Sequence, residues 1–166
     1  MRRFGVLVVL CTTAVLAAAC GPADVACPDL GQSSGVSLTV AASYVTQVES
    51  LHIRACQDGI CHESDLDLMP GSVSIDLGCD SKNACSATSS PDGSKVGFLD
   101  LGVLTDSRMT VTVSGTNSAG TALAVHTLEF EPVSSFPIGE QCGQFLTAAV
   151  SLDNEGLHDV SAPFGS

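Results

Sequence analysis

The chain has 166 residues, with six Lys and Arg against eighteen Asp and Glu, for a formal net charge of −12 at neutral pH. A surface of that sign repels nucleic acid and anionic lipid headgroups, which excludes both as partners held by charge. The lack of Trp and the single Tyr leave little aromatic platform for sugar rings, and eight cysteines in so short a chain point to an oxidising compartment.

Met1-Arg2-Arg3 is a basic start, and Phe4 to Ala19 is an apolar run too short and too Ala-rich for a membrane span; together they read as a signal peptide. The run ends in Leu16-Ala17-Ala18-Ala19-Cys20-Gly21, which resembles the lipobox of bacterial lipoproteins, with Leu one place further from the cysteine than that pattern has it. The resemblance implies that Cys20 is acylated and becomes the mature N-terminus. Ala17 and Ala19 also suit an ordinary signal peptidase, which would leave the protein secreted and free of lipid. Cysteine parity favours the lipid. Cys11 leaves with the signal, and if Cys20 carries lipid the remaining Cys27, Cys56, Cys61, Cys79, Cys85 and Cys142 can all pair. The mature chain then keeps only Arg54, Lys82, Lys95 and Arg108 as basic residues, so membrane attachment rests on the lipid.

Residues 20–35 are rich in Gly, Pro, Ser and Ala and cannot bury a core, so they read as a tether between the signal peptide (1–19) and a domain over 36–160; 161–166 is a tail. Val36, Leu38 and Val40 alternate with Ser37, Thr39 and Ala41, the period of a half-buried strand. Next comes the most informative stretch. Asp58-Gly59 suits a two-residue type I′ turn, whose central positions both need φ > 0. With that turn, Cys56 faces Cys61, Arg54 faces Glu63 and His52 faces Asp65 on one face. Leu51, Ile53 and Ala55 then lie on the other, with Leu51 opposite Leu66. A slip of one residue would break every one of these matches.

Pro70-Gly71 reads as a turn into an alternating strand of Val73, Ile75 and Leu77 that ends at Cys79. Residues 80–94 read as a polar loop with a second Asp-Gly signal at Asp92-Gly93, and Lys95 to Leu101 as the next strand. Met109, Val111 and Val113 alternate, and the turn-rich 115–120 stretch leads back into Thr121 to Val133 as a second hairpin. Leu146, Ala148, Val150 and Leu152 pair with Leu157 to Val160 around a turn at Asp153-Asn154-Glu155-Gly156.

No sustained helical period occurs after the signal, and short strands recur between turn residues, which is the pattern of an all-β sandwich. Over about residues 36–160 the strand spacing resembles the immunoglobulin-like or fibronectin-like sandwiches of small bacterial lipoproteins. That implies an immunoglobulin-like β-sandwich of about seven to nine antiparallel strands, stapled by disulfides. The resemblance is one of architecture, since the core Trp of antibody domains is missing. For the bridges, Cys56–Cys61 falls on a non-hydrogen-bonded cross-strand position, Cys79–Cys85 clamps the polar loop, and Cys27–Cys142 follows by exclusion.

The same residues admit other chemistry. Cys56 to His62 has the form of a longer-spaced c-type haem attachment site, with His62 as proximal ligand and Met69, His52 or His126 as distal ones. Cys56, Cys61, Cys79 and Cys85 could make a four-thiolate zinc site. Bridged cysteines are the commoner state of exported proteins, and the hairpin already accounts for the motif. Glu63, Asp65 and Asp67 lack the ligand spacing of a calcium loop. Neither the four histidines (His52, His62, His126, His158) nor Ser86, Ser89 and Ser90 sit in a nucleophile motif. The expectation is therefore an exported, non-catalytic envelope lipoprotein without cofactor. Its loops 80–94 and 115–120 would meet an envelope partner, and it would not bind nucleic acid.

Overall fold

Alternating apolar side chains on seven strands meet in one core, and this forces two sheets face to face. The computed structural model describes residues 26–28, 31–80 and 82–163. The expected signal peptide, Cys20 and the last three residues of the tail lie outside the described residues. Ten strands are described: β1 Gly35–Val40, β2 Ser50–Gln57, β3 Ile60–Asp65, β4 Met69–Cys79, β5 Cys85–Asp100, β6 Met109–Thr116, β7 His126–Phe130, β8 Val133–Ser135, β9 Phe145–Leu152 and β10 Leu157–Asp159. One sheet runs β10-β9-β1-β5-β4 with β8 also on β9, and the other runs β3-β2-β6-β7. Two 3₁₀ turns, Val45–Gln47 and Glu140–Cys142, are the helical segments among the described residues.

Val36, Leu38 and Val40 of β1 and Ala148, Val150 and Leu152 of β9 fill one side of the core. Leu51, Ile53 and Ala55 of β2 and Met109, Val111 and Val113 of β6 fill the other. Burial of each large aliphatic side chain contributes about 1.5–3 kcal/mol. The sheets stack with β3 over β5 and β7 over β10.

Two features depart from an antiparallel sandwich of seven to nine strands. The described strands number ten, and β1 pairs with β9 in parallel, Val36 opposite Ala148 through Val40 opposite Leu152. A parallel pair needs a long crossover, and here nearly the whole domain serves as one.

A further departure concerns the loop expected at 80–94. Among the described residues the turn is confined to Asp80 and 82–84; from Cys85 onward the chain is strand, continuous with the 95–100 segment, and it pairs with β4 from Val96 opposite Met69 up to Cys85 opposite Cys79. Pro70-Gly71 is likewise inside β4 rather than a turn. Between Pro70 and Ser72 the register shifts, so Asp92, Gly93 and Ser94 bulge out opposite Gly71. Asp92 Oδ1 accepts from the Ser94 N–H (2.9 Å) and hydroxyl (2.7 Å), and Gly93 takes φ 81°. The second Asp-Gly pair thus builds a bulge, which needs the same positive φ as a turn. A Cβ at Gly71 would lie 1.9 Å from Ser94 Oγ, so any larger residue there must turn that hydroxyl away from Asp92.

Candidate functional site

The β2–β3 hairpin closes as its turn chemistry dictates. Asp58 and Gly59 take φ of 51° and 78°, and the pairs run from Gln57–Ile60 to His52–Asp65. His52 Nδ1 lies 2.9 Å from Asp65 Oδ1 and Arg54 Nε 3.5 Å from Glu63 Oε2, all solvent-exposed. Cys56 and Cys61 are bridged across the pair with Cα atoms 4.0 Å apart. The other bridges are Cys79–Cys85 and Cys27–Cys142. Three disulfides point to an oxidising environment outside the cytosol.

The four sulfurs of the zinc alternative are therefore consumed in two bridges at opposite ends of the molecule. Cys56 and Cys61 are bonded to each other, which leaves neither sulfur for a thioether. His52 and His62 lie on opposite faces of the hairpin, so these two cannot face one haem iron together. His158 Nε2 sits 3.2 Å from Asp153 Oδ1 beside the β9–β10 turn, and His126 packs near Gly156. No group of three or more potential metal-ligating side chains occurs among the described residues. Among them, too, no helix is long and apolar enough to cross a membrane.

Two surfaces remain. The first is an arm. Above the level of the bulge, Ser72–Cys79 and Cys85–Pro91 pair only with each other and are exposed on nearly every residue. Seven residue steps at about 3.3 Å give a projection of about 23 Å. Val73, Ile75 and Leu77, between 44 % and 62 % exposed, give the arm apolar side chains in water. Its tip is ordered by Asp80, whose Oδ1 accepts from the N–H groups of Lys82 (2.8 Å) and Ala84 (3.0 Å), and by the Cys79–Cys85 bridge.

The second surface is a cleft of about 300 Å³ at the opposite end, lined by Gln57, Asp58, Ile60, His62, Leu101, Val103 and Thr105. It exists because β3 overhangs the core: Ile60 and Val103 are 64 % and 71 % exposed, while Leu101 forms a buried floor. Gln57 holds the facing loop in place, its amide donating to the Thr105 (3.0 Å) and Ser107 (2.6 Å) carbonyls and accepting from the Thr105 N–H (3.0 Å). Sequence reading placed no function on Leu101, Val103 and Thr105; the available signal was the apolar Leu101, Val103 and Leu104 outside any alternating run.

Of the two loops expected to carry recognition, 115–120 splits. Gly115 and Thr116 end β6, and 117–120 form a turn around Asn117, whose Oδ1 accepts from Ala119 (3.0 Å) and Thr121 (2.9 Å) N–H groups. This turn lies at the same end as the arm.

Comparison with protein-family models, with curated proteins and with solved structures finds no match to this chain.

Proposed function

We propose that this protein is a non-catalytic envelope lipoprotein in which an immunoglobulin-like or fibronectin-like sandwich, anchored through acylated Cys20, holds an interaction surface away from the membrane. One observation carries the reading: the Cys27–Cys142 bridge and the projecting β4–β5 arm lie at opposite poles. β1 and β9 both run from the pole where Cys27 is bridged to Cys142 toward the pole from which β4 and β5 project. A chain that emerges from the membrane at Cys20 reaches the sandwich at the first pole, and the arm then points outward. The arm contributes little to the core, so its exposed Val73, Ile75 and Leu77 are better explained by contact with a partner than by folding.

The test is two measurements on the exported full-length protein. Intact mass is expected to show a lipid on Cys20 that blocks its thiol, and the loss of six hydrogens for three bridges. A photo-crosslinking residue at Ile75 is expected to give a discrete adduct in the intact envelope, and the same group at Glu129, exposed on β7, none. A mass without lipid would remove the anchor, and equal or absent labelling at the two positions would remove the arm as the contact surface.

A further inference from the structure

The outer edge of β3 carries backbone groups that no described strand pairs with. The two-residue turn makes Gln57 and Ile60 a hydrogen-bonded pair, and the Leu66 N–H donates to the Leu51 carbonyl at 2.8 Å, which fixes the same phase at the far end. Ile60, His62 and Ser64 therefore direct their N–H and C=O groups to β2, and Cys61, Glu63 and Asp65 direct theirs outward. The Ser64 hydroxyl donates to the Asp65 carbonyl (2.9 Å). That leaves the N–H and C=O of Cys61 and Glu63, and the N–H of Asp65, open along the edge.

Natural sheets blunt such edges with Pro, bulges or very short strands. β4 has Pro70 and two register shifts, and β10 has three residues. β3 has six residues in unbroken register and no Pro. Its side chains also point to a definite kind of partner. On the outer face Glu63 and Asp65 have only Arg54 and His52 opposite them, and the exposed Asp67 adds negative charge just beyond the strand. On the inner face Ile60 and His62 line the apolar cleft over Leu101 and beside Val103.

A second copy of β3 is a poor fit, because antiparallel self-pairing sets Glu63 and Asp65 against the same carboxylates, and like charges across a ladder repel. We propose that β3 takes up an extended segment of another protein by strand addition, a segment in which basic and apolar residues alternate. Its backbone bonds to Cys61, Glu63 and Asp65. Its basic side chains lie on the carboxylate face and its apolar ones enter the cleft. The proposal needs neither the lipid anchor nor the arm.

The experiment uses the oxidised full-length protein and an end-blocked heptapeptide of alternating Lys and Val, with amide hydrogen exchange followed by NMR. Exchange at Cys61, Glu63 and Asp65 is expected to slow at least tenfold at saturating peptide, with shifts at Ile60, His62 and Val103. Raised salt is expected to weaken the effect, and an alternating Glu and Val peptide to give none. Glu63→Pro removes one outward donor without touching the β2 ladder, a position an edge strand tolerates, and is expected to abolish the protection. A Lys and Val peptide N-methylated at alternate amides makes the same test with the protein unaltered, and is also expected not to bind. Protection confined to another edge, undiminished binding by either control, or no protection at millimolar peptide would overturn the proposal. So would slowing of the same amides as protein concentration rises without peptide, which assigns the edge to self-association.

Discussion

At Gly115 the backbones of β2 and β6 come so close that a Cβ would sit 2.2 Å from the Ser50 carbonyl oxygen. That oxygen belongs to the main chain and cannot swing aside, so Gly115→Ala is expected to cost about 1–3 kcal/mol, the usual range for overpacking, read from the urea midpoint. Asp153 illustrates a different constraint at the same scale. Its carboxylate accepts from the Glu155 N–H (2.8 Å), which holds its pKa below the ordinary aspartate value; His158 and the Gly156 N–H act in the same direction. A depressed folded-state pKa stabilises the fold fully above the unfolded value, and this contribution is lost as pH falls through the folded one. Chemical-shift titration should therefore find Asp153 ionising below the unfolded reference near 3.8, and Asp92, held by Ser94, doing the same. Removal of the hydroxyl in Ser94→Ala should move Asp92 back upward and leave Asp153 unchanged; a fixed Asp92 would show that the bond is not what holds it.

Among the elements, the β2–β3 hairpin was legible because five local requirements agreed on one register: turn, bridge, two polar pairs and the apolar face. Only half of the arm was: Val73, Ile75 and Leu77 alternate and read as a strand, whereas Ser, Thr, Pro and Asp between Cys85 and Asp92 read as loop because nothing apolar contradicts them. Its Asp-Gly pair gave a true signal for positive φ, which a bulge uses as readily as a turn does. The β1–β9 pairing was beyond local reading altogether, since parallel register is set by packing across the whole chain. The apolar alternation that put Val36, Leu38 and Val40 in the core was nonetheless sufficient to place β1. If the arm is as separate as its exposure implies, replacing Val73–Ser90 with Asn-Gly between Ser72 and Pro91 should shift the stability of the sandwich by less than about 1 kcal/mol. By contrast, Leu38→Ala in the core should cost about 2–5 kcal/mol. A large loss on arm removal would mean that β4 and β5 fold as one unit with the core.

For the molecule as a whole, the three bridges differ in what they enclose. Cys27–Cys142 spans 115 residues and closes almost the entire domain, whereas Cys56–Cys61 and Cys79–Cys85 span 5 and 6. In the chain-entropy account the long closure contributes about 4–5 kcal/mol and a short one about 2. The arm-tip bridge should contribute less still to global unfolding, because the arm lies outside the cooperative core. The long bridge also sets the distance from the membrane. With Cys20 acylated as proposed, seven residue steps separate lipid from bridge, a reach of about 25 Å, and loss of the bridge lets the leash extend to Gly35, roughly 50 Å. Replacing both Cys27 and Cys142 with Ser should therefore lower unfolding free energy by about 4–5 kcal/mol and lengthen the mean distance from vesicle surface to sandwich, measured by energy transfer from a dye at Glu129. The paired Cys79 and Cys85 variant should do neither. The two readouts separate the two roles: a loss of stability with unchanged distance would leave the bridge as a fold staple and show that residues 31–34 stay docked through the Gln32 side chain on the Leu146 carbonyl (2.6 Å).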